Sequence, residues 1–292
     1  MRSLLIQFIF ALLSRLPLPV VHRMGNLLGR FLMLFANDLR DTARTNIQRC
    51  FPDWSSAKQK HLVLRCLQET SKAVLESAAL WLLPSERVLS LIRKVSGQDV
   101  LEKALKNEKG VILLAPHIGA WEMVGQYCSP KWTMTTMYRP PRQAFMGSLI
   151  RKGRERSGAK LVPTDASGIR ALYKALGRGE LIGILPDQDP DRASGVFAPF
   201  FGVQTNTMTL LARLARKSGA VVLITYAERL PKGEGYHLHF SSTDTSLTDI
   251  DALTATTSLN KAVEQCAMQR PEQYQWAYKR FKTRPEGENK FY

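Results

Sequence analysis

Residues 110–122 have the sequence GVILLAPHIGAWE, in which an apolar run is followed by a histidine and, five residues later, by a glutamate. The run Gly110–Pro116 is short and rich in branched residues, which is typical of a strand buried on both faces of a sheet. Residues 118–128 predict a helix directly after it. His117 would therefore lie in the turn between a buried strand and the start of a helix.

The same alternation continues along the chain. Further strands are predicted at 133–138, 160–162, 181–185, 220–227 and 236–241, the last of them at an edge. Helices are predicted before them at 38–94, and between or after them at 145–157, 169–176, 207–218 and 253–269. This alternation predicts an α/β fold with a mostly parallel or mixed central sheet flanked by helices. Sites then form where the parallel strands end.

The N-terminus carries two apolar stretches whose only charges are positive. Leu4–Leu13 lies between Arg2 and Arg15, and a second stretch, Leu27–Ala36, precedes Asp38, the first acidic residue. A helix between the two arginines is about 18 Å long, whereas a bilayer core is about 30 Å thick. The pattern favours a helix lying in the interface or a shallow anchor. A cleaved signal peptide and ordinary buried helices are the alternatives.

Three regions follow from these patterns. Residues 1–36 are the predicted membrane anchor, 37–95 a helical region, and 96–292 an α/β core. The boundary near residue 95 is soft, because no low-complexity linker marks it, and the last two regions are expected to form one domain.

The composition limits the class of protein and its partners. The chain has 292 residues, a formal net charge of +16, 45% hydrophobic and 23% charged residues. This is a globular composition and excludes a disordered or collagenous chain. The positive charge predicts anionic partners such as acidic headgroups, phosphorylated substrates, acidic proteins or nucleic acid. The four cysteines have no C-x-x-C spacing, so neither a zinc nor a redox motif is indicated.

His117 and Glu122 predict acid–base chemistry at the end of the first buried strand. A carboxylate in the first turns of the helix could orient the imidazole, and the imidazole could then deprotonate a substrate hydroxyl that acts as the nucleophile. The alternative is a histidine satisfied at a helix N-terminus, with an exposed glutamate. The spacing alone does not decide between them.

Basic residues follow the next predicted strand. Arg139 and Arg142 flank the Pro140–Pro141 turn, where a loop would face the same edge as His117. Guanidinium groups there could hold phosphates. The basic stretch Arg151–Lys160 could do the same or could be a solvated helix face.

Two further segments carry candidate residues. Asp187 and Asp189 follow another buried strand in the sequence PDQDPD, where they could orient an arginine or substrate, bind Mg²⁺, or cap a polar turn. Arg192 at the sixth position excludes an EF-hand. Phe200, Phe201 and Gly202 precede a predicted helix and could line an acyl groove or form a small core cluster.

His237 and His239 share one face of the last predicted strand. With no carboxylate or cysteine placed beside them, they are interpreted as surface or packing residues.

Taken together, these pieces resemble the lipid A late acyltransferases, the lauroyl and myristoyl transferases within the H-x-x-x-x-[DE] acyltransferases. The ordered matches are the N-terminal apolar anchor, His117/Glu122, YRP at Tyr138–Pro140, LPDQD at Leu185–Asp189, FFG at Phe200–Gly202 with Thr207 five residues later, and WAYKRFKTRP at Trp276–Pro285. The resemblance covers essentially the whole chain.

The resemblance implies a membrane-bound O-acyltransferase on the cytoplasmic face of a bacterial inner membrane. It would move a fatty acyl group from acyl carrier protein to a hydroxyl of a lipid A precursor, an acylated and phosphorylated glucosamine disaccharide, with neither a metal nor a cofactor. His117 carries over as the general base and Glu122 as its partner. Arg139 carries over as a phosphate or thioester contact, and Asp187 and Asp189 as site-shaping residues.

Two rival functions stay open at this point. The acceptor could be another lipid, such as a glycerophospholipid, an ornithine lipid or another glycolipid. The chain could also be a basic protein that binds membranes or nucleic acid without catalysis. Phe145 is the only aromatic residue between Arg142 and Lys160, so the stacking platforms of single-strand binding are poorly represented and no nucleic-acid partner is expected.

Overall fold

The structure, a computed structural model, describes residues 2–141 and 144–292 and contains nine strands and eleven α-helices within those ranges. The strands are β1 (Ile92–Ser96), β2 (Val111–Leu114), β3 (Met134–Met137), β4 (Lys160–Val162), β5 (Leu181–Ile184), β6 (Gly195–Phe200), β7 (Val203–Met208), β8 (Val221–Arg229) and β9 (Tyr236–Ser242). The helices are α1 (Arg2–Ser14), α2 (Leu18–Leu34), α3 (Asp38–Cys50), α4 (Ser56–Leu82), α5 (Ser85–Leu89), α6 (Gln98–Leu105), α7 (Glu122–Cys128), α8 (Ala144–Arg156), α9 (Ala166–Gly177), α10 (Leu210–Ser218) and α11 (Ala252–Gln269).

Seven strands form one mixed sheet in the order β1-β9-β8-β2-β5-β3-β4, and β6 pairs with β7 in a separate hairpin. All neighbours in the large sheet are parallel except β8 and β9, which are antiparallel. The parallel strands β2, β5 and β3 therefore end at the same edge. That edge is where the predicted site residues meet.

Two hydrophobic cores lie on the two faces of this sheet. Along β2, Ile112 and Leu114 belong to one core, whereas Val111 and Leu113 belong to the other. All four side chains are fully buried. Because successive side chains of a strand point to opposite faces, a strand covered by helices on both sides is apolar throughout.

The predicted mixed α/β fold is confirmed, with local differences. Strand β1 begins within residues 38–94, which were predicted as helical, and neither α6 nor β6 was predicted. The strand predicted at the edge, β9, lies between β1 and β8. The helix predicted from residue 118 begins at Glu122, and residues 203–208, part of which was assigned to a helix, form β7. The division of the chain into three regions stays a prediction.

Helix α2 packs closely along α4 through two glycines. A Cβ atom at Gly25 would lie 2.6 Å from Lys72 Cγ, and one at Gly29 would lie 2.4 Å from Gln68 Cα. A side chain at either position would separate the helices. The two glycines therefore fix how the N-terminal helices sit on the protein.

The other side of the N-terminal helices is apolar and exposed. Phe8, Leu27, Phe31 and Leu34 expose 67%, 63%, 56% and 76% of their surface. None of the described helices combines the length and the apolarity that crossing a membrane requires. The anchoring role predicted for residues 1–36 stays a prediction.

A buried ion cluster joins α2 and α4 to β8. The Arg229 guanidinium donates to Glu76 through Nε and Nη2, at 2.9 and 2.7 Å from Oε1, and it also approaches Glu69 at 3.3 Å. His22 and the Tyr236 hydroxyl contact the other oxygen of Glu76. Burial alone would raise the pKa of Glu76, but Arg229 and His22 lower it to about 2. The charged form of Glu76 is thus part of the native structure.

Replacing Glu76 with glutamine (Glu76→Gln) should lower the free energy of unfolding by about 3 kcal/mol, because Arg229 would stay buried with only the more distant Glu69 as counter-charge. Since the pKa of Glu76 is lower in the folded chain than in the unfolded chain, ionised Glu76 stabilises the fold fully above about pH 4.5. That stabilisation is lost as the pH falls towards about 2. Urea unfolding in detergent micelles at several pH values measures both effects.

Glu155→Gln is the matched control, since Glu155 forms an exposed ion pair with Arg151 on α8. Its loss should change the free energy of unfolding by less than about 1 kcal/mol. Equal effects of the two substitutions would contradict a structural role for the buried cluster.

Candidate active site

The carboxylate of Asp187 holds His117 at two points. The backbone N–H of His117 donates to Oδ2 at 2.9 Å, and Nδ1 lies 2.8 Å from Oδ1. Both residues are buried. They meet because β2 and β5 are parallel neighbours with Leu114 paired to Ile184, and each site residue follows its strand by three positions.

This contact orients the imidazole. Burial opposes ionisation of Asp187, but the neighbouring His117 outweighs it and holds the pKa of Asp187 below its ordinary value. An ionised Asp187 accepts the proton of Nδ1–H, so the lone pair of the neutral ring is on Nε2. Nε2 lies 3.3 Å from the side-chain nitrogen of Gln188, and the Trp121 ring packs edge-on at 4.9 Å between centroids. The arrangement is that of a base with a fixed tautomer.

The expected pairing of His117 with Glu122 is corrected by the structure. The segment between them is not helical: Gly119 N–H donates to the Gln273 carbonyl, and Ala120 N–H donates to the Ala227 carbonyl. A five-residue separation therefore spans an irregular loop rather than a helical turn. Whether Glu122 takes part in catalysis stays a prediction.

Gly119 is required at the bend of this loop. Its φ is +58°, and a Cβ atom would lie 2.1 Å from the Ala227 carbonyl oxygen. A side chain would push the loop off β8 and would displace His117 with it.

Glu122 instead binds Arg154 of α8. The Nε and Nη2 groups of Arg154 donate to the two carboxylate oxygens, and the guanidinium stacks over the rings of Trp121 and Tyr138. Burial disfavours the charged form of Arg154, but Glu122 outweighs this effect and raises the pKa of Arg154. The pair links α7 to α8 next to Trp121, whose ring packs against the histidine.

A cavity of about 280 Å³ opens beside Trp121 and Glu122. Its walls come mainly from the His117 loop and from α4, including Leu80, and Phe10 contributes from α1. The cavity therefore extends from the loop that follows His117 to helix α1.

A second cleft meets the first at the same two residues, Trp121 and Glu122. It runs between α7, α8 and strands β3 and β5, and its lining is mostly apolar, with Gly125, Met134 and Leu185 among the residues. A Cβ atom at Gly125 would meet no heavy atom within 4 Å, so the absence of a side chain there leaves open space.

Asp189 organises the loop after β5. Its carboxylate accepts hydrogen bonds from Asn206 at 3.1 Å and Thr283 at 2.7 Å, and its N–H donates to the Tyr278 hydroxyl at 3.0 Å. These contacts join the loop to β7 and to the C-terminal segment. A contact of Asp189 with substrate stays a prediction.

Thr207 lies in a buried network below this loop. Its hydroxyl exchanges hydrogen bonds with Asn260 and accepts one from Arg280 at 3.2 Å. Burial lowers the pKa of Arg280. Thr207 is fully buried, which places it behind the site rather than on its surface.

Of the two interpretations left open for Phe200 and Phe201, the packing fits a core cluster, and a contact with an acyl chain stays a prediction. Phe200 is 1% exposed, and Phe201 packs 5.1 Å from Phe51 and 5.5 Å from Trp276 between ring centroids. Gly202 is exposed in the turn between β6 and β7. The β6–β7 hairpin buries the Phe200 ring, and the partly exposed Phe201 ring packs against it.

Of the two arginines predicted beside the site, only Arg139 lies within the described residues. Arg139 follows β3 at the same edge of the sheet as His117 and is exposed. Arg142 lies outside the described residues. The roles of both stay predictions.

Three residues of the site were not singled out from the sequence. Trp121 and Gln188 stand inside the quoted motifs, next to the residues that were chosen. Arg154 belongs to the basic stretch that was interpreted partly as solvated, and only its position on α8 relative to Glu122 distinguishes it from its neighbours.

The family model and the known relatives that match this chain all describe lipid A biosynthesis acyltransferases. The family model described as bacterial lipid A biosynthesis acyltransferase matches residues 2–283. The chain is 31% identical to the lipid A biosynthesis lauroyltransferase of Escherichia coli K12 over 94% of its own length and 90% of the relative's. It is 32% identical to the palmitoleoyltransferase of the same organism, over 95% and 90%. A lipid A biosynthesis acyltransferase of Haemophilus influenzae is 30% identical over 93% and 87%.

Proposed function

From the premise that this chain belongs to the bacterial lipid A biosynthesis acyltransferases, we propose that it transfers a fatty acyl group from acyl carrier protein to a hydroxyl of a lipid A precursor, with His117 as general base. The observation that carries the proposal is the two-point contact of Asp187 with His117. It leaves Nε2 as the proton acceptor in a site formed at the ends of β2 and β5.

The proposed reaction involves no covalent enzyme intermediate. His117 Nε2 accepts the proton of the acceptor hydroxyl as its oxygen attacks the thioester carbonyl carbon. The carbon–sulfur bond then breaks, and the departing sulfur takes the proton back from the imidazolium. Asp187, buried and ionised, stabilises that imidazolium during the step. No group of the enzyme is consumed.

The two cavities beside Trp121 and Glu122 suit the two substrates. The narrow cleft at Gly125 suits the acyl chain of the donor, because most of its exposed lining is apolar and the charges of Glu122 and Arg154 in its wall are paired with each other. The larger cavity reaches Phe10 of α1, so it suits an acceptor that stays partly in the membrane.

Charge and exposed apolar surface support the two partners and the location. The net charge of +16 favours an acidic carrier protein and a phosphorylated glycolipid. The exposed apolar side chains of α1 and α2 stand beside exposed Arg23 and Arg30, a composition typical of helices in the interface of an anionic membrane. The proposed location is the cytoplasmic face of the bacterial inner membrane.

His117→Ala should lower kcat for acyl transfer by about 10²–10⁴-fold, because the general base is removed. Asp187→Asn should also lower kcat, since the tautomer is no longer fixed, while KM for both substrates changes little. The measurement is transfer of a radiolabelled acyl group from acyl carrier protein to a tetra-acylated lipid A precursor by the purified chain in detergent.

His61→Ala is the control for the loss of a histidine, because His61 is exposed on α4. Wild-type turnover by His117→Ala would refute the assignment of the base. Mass spectrometry of glycolipids from cells with and without the chain identifies the acceptor, and an unchanged lipid A together with an altered phospholipid or ornithine lipid would refute the acceptor.

Gly125→Leu should shift the enzyme towards shorter acyl donors, because the new side chain enters open space and fills the apolar cleft. We expect the preference for the longest donor to fall by at least about tenfold. Competition between acyl carrier proteins loaded with chains of graded length measures it. Gly177→Leu is the matched control, because Gly177 lies at the end of α9, outside the cleft, and a Cβ atom there would also meet open space. An unchanged profile for Gly125→Leu would place the acyl chain elsewhere.

The double variant Leu27→Glu, Phe31→Glu should bind anionic vesicles at least about tenfold more weakly than the wild type, because burial of each apolar side chain contributes about 1.5–3 kcal/mol. Both residues are exposed, so the fold should be kept. Sedimentation with phosphatidylglycerol-containing vesicles measures the effect. Ile250→Glu, Met268→Glu removes two exposed apolar residues outside these helices. An equal loss in that control would argue against a specific membrane face.

A further inference from the structure

Three metal-ligating side chains converge on β8 and β9, apart from the His117 site. Glu228 of β8 pairs with His237 of β9, and His239 follows two residues later on the same face. Glu228 Oε2 lies 3.2 Å from His239 Nε2 and 3.9 Å from His237 Nδ1. Among the described residues, these three form a potential metal-binding group, because one ligand atom from each lies within 4.8 Å of those of the other two.

These separations match a metal site. In a tetrahedral site with bonds of about 2.0–2.1 Å, neighbouring ligand atoms are about 3.4 Å apart. The two measured distances lie on either side of that value. Small rotations of the side chains would therefore place all three atoms on one ion, without movement of the strands.

Neighbouring groups orient the ligands in the way that metal sites require. Ser96 Oγ lies 2.8 Å from His237 Nε2, so a proton on Nε2 leaves the lone pair of Nδ1 towards Glu228. Arg270 Nε donates to Glu228 Oε1 at 2.6 Å and leaves Oε2 for a ligand. The Tyr226 ring stacks on His239 at 4.5 Å between centroids. Contacts of this kind around the ligands fix ring orientation and tautomer.

We infer that Glu228, His237 and His239 bind a divalent transition-metal ion, with Zn²⁺ as the first candidate. Two imidazoles and one carboxylate form a donor set that suits Zn²⁺, and water completes the fourth position. The side chains of His237 and His239 are 13% and 22% exposed, so an ion can reach them from solvent.

An ion bound at this site would have a structural role. Glu228 lies between Ala227, whose carbonyl accepts from Ala120 N–H, and Arg229, whose guanidinium donates to the Gly119 carbonyl. An ion that ties β8 to β9 at Glu228 would stiffen the strand segment that supports the His117 loop. The positive charges of Arg270 and Lys94 nearby weaken the affinity, so binding should be reversible on treatment with a chelator.

The test is metal binding by the full-length chain, purified in detergent without a histidine tag and stripped with a chelator. Titration with Zn²⁺, followed by elemental analysis after dialysis, should give one equivalent per chain. Co²⁺ should give the visible absorption of a four-coordinate site. The double variant His237→Ala, His239→Ala should bind Zn²⁺ more than about 100-fold more weakly, and Glu228→Gln should also weaken binding.

His61→Ala controls for an exposed histidine and should bind Zn²⁺ as the wild type does. Circular dichroism of each stripped variant establishes that it is folded, and the Co²⁺ spectrum of the wild type tests the site even where a variant fails to fold. Absence of that absorption, substoichiometric Zn²⁺ in the wild type, or equal binding by the folded double variant would overturn the proposal.

Discussion

The contact between Asp187 and His117 exists because β2 and β5 lie side by side and run in the same direction. Each strand ends in a proline-containing turn, and each turn delivers one polar side chain to the shared edge. The hydrogen bond to the backbone N–H of His117 fixes the turn as well as the ring. Since both groups are buried, neither can turn to water, and His117 more than offsets the effect of burial, which would by itself raise the pKa of the Asp187 carboxyl. The tautomer of the histidine is thus a consequence of strand order.

A second buried contact connects this edge to the N-terminal helices. Arg229 donates to the Gly119 carbonyl in the His117 loop and to Glu76 of α4, and His22 of α2 binds the same carboxylate. Helix α2, which exposes apolar side chains, is therefore joined to the His117 loop through buried charged groups. Because an unpaired charge in this interior would be costly, the cluster sets one position of the helices relative to the loop. The proposed membrane face on α2 and the proposed base His117 are then held in a fixed position relative to each other.

The parts of the fold that were predictable are those in which a local pattern is sufficient. Strands β2 and β5 are continuous apolar runs, so their existence and direction followed from residues 111–114 and 181–184. Strand β1 contains two charged residues in IRKVS and was assigned to a helical region, and β7 is largely polar. The orienting role of Asp187 could not be read from spacing, because it depends on which strands are neighbours. The pairing of Glu228 with His237 was hidden for the same reason, since it needs the antiparallel register of β8 and β9.

The position of Glu122 gives the five-residue spacing a different physical meaning. Its carboxylate does not orient the imidazole, yet it lies where both cavities meet and neutralises the guanidinium of Arg154. Without it, Arg154 would bring an uncompensated charge to the wall of an apolar cleft, and the stacking of Trp121 between Arg154 and His117 would lose its fixed partner. The acidic side chain at this position therefore balances the charge of the partly buried Arg154 on α8.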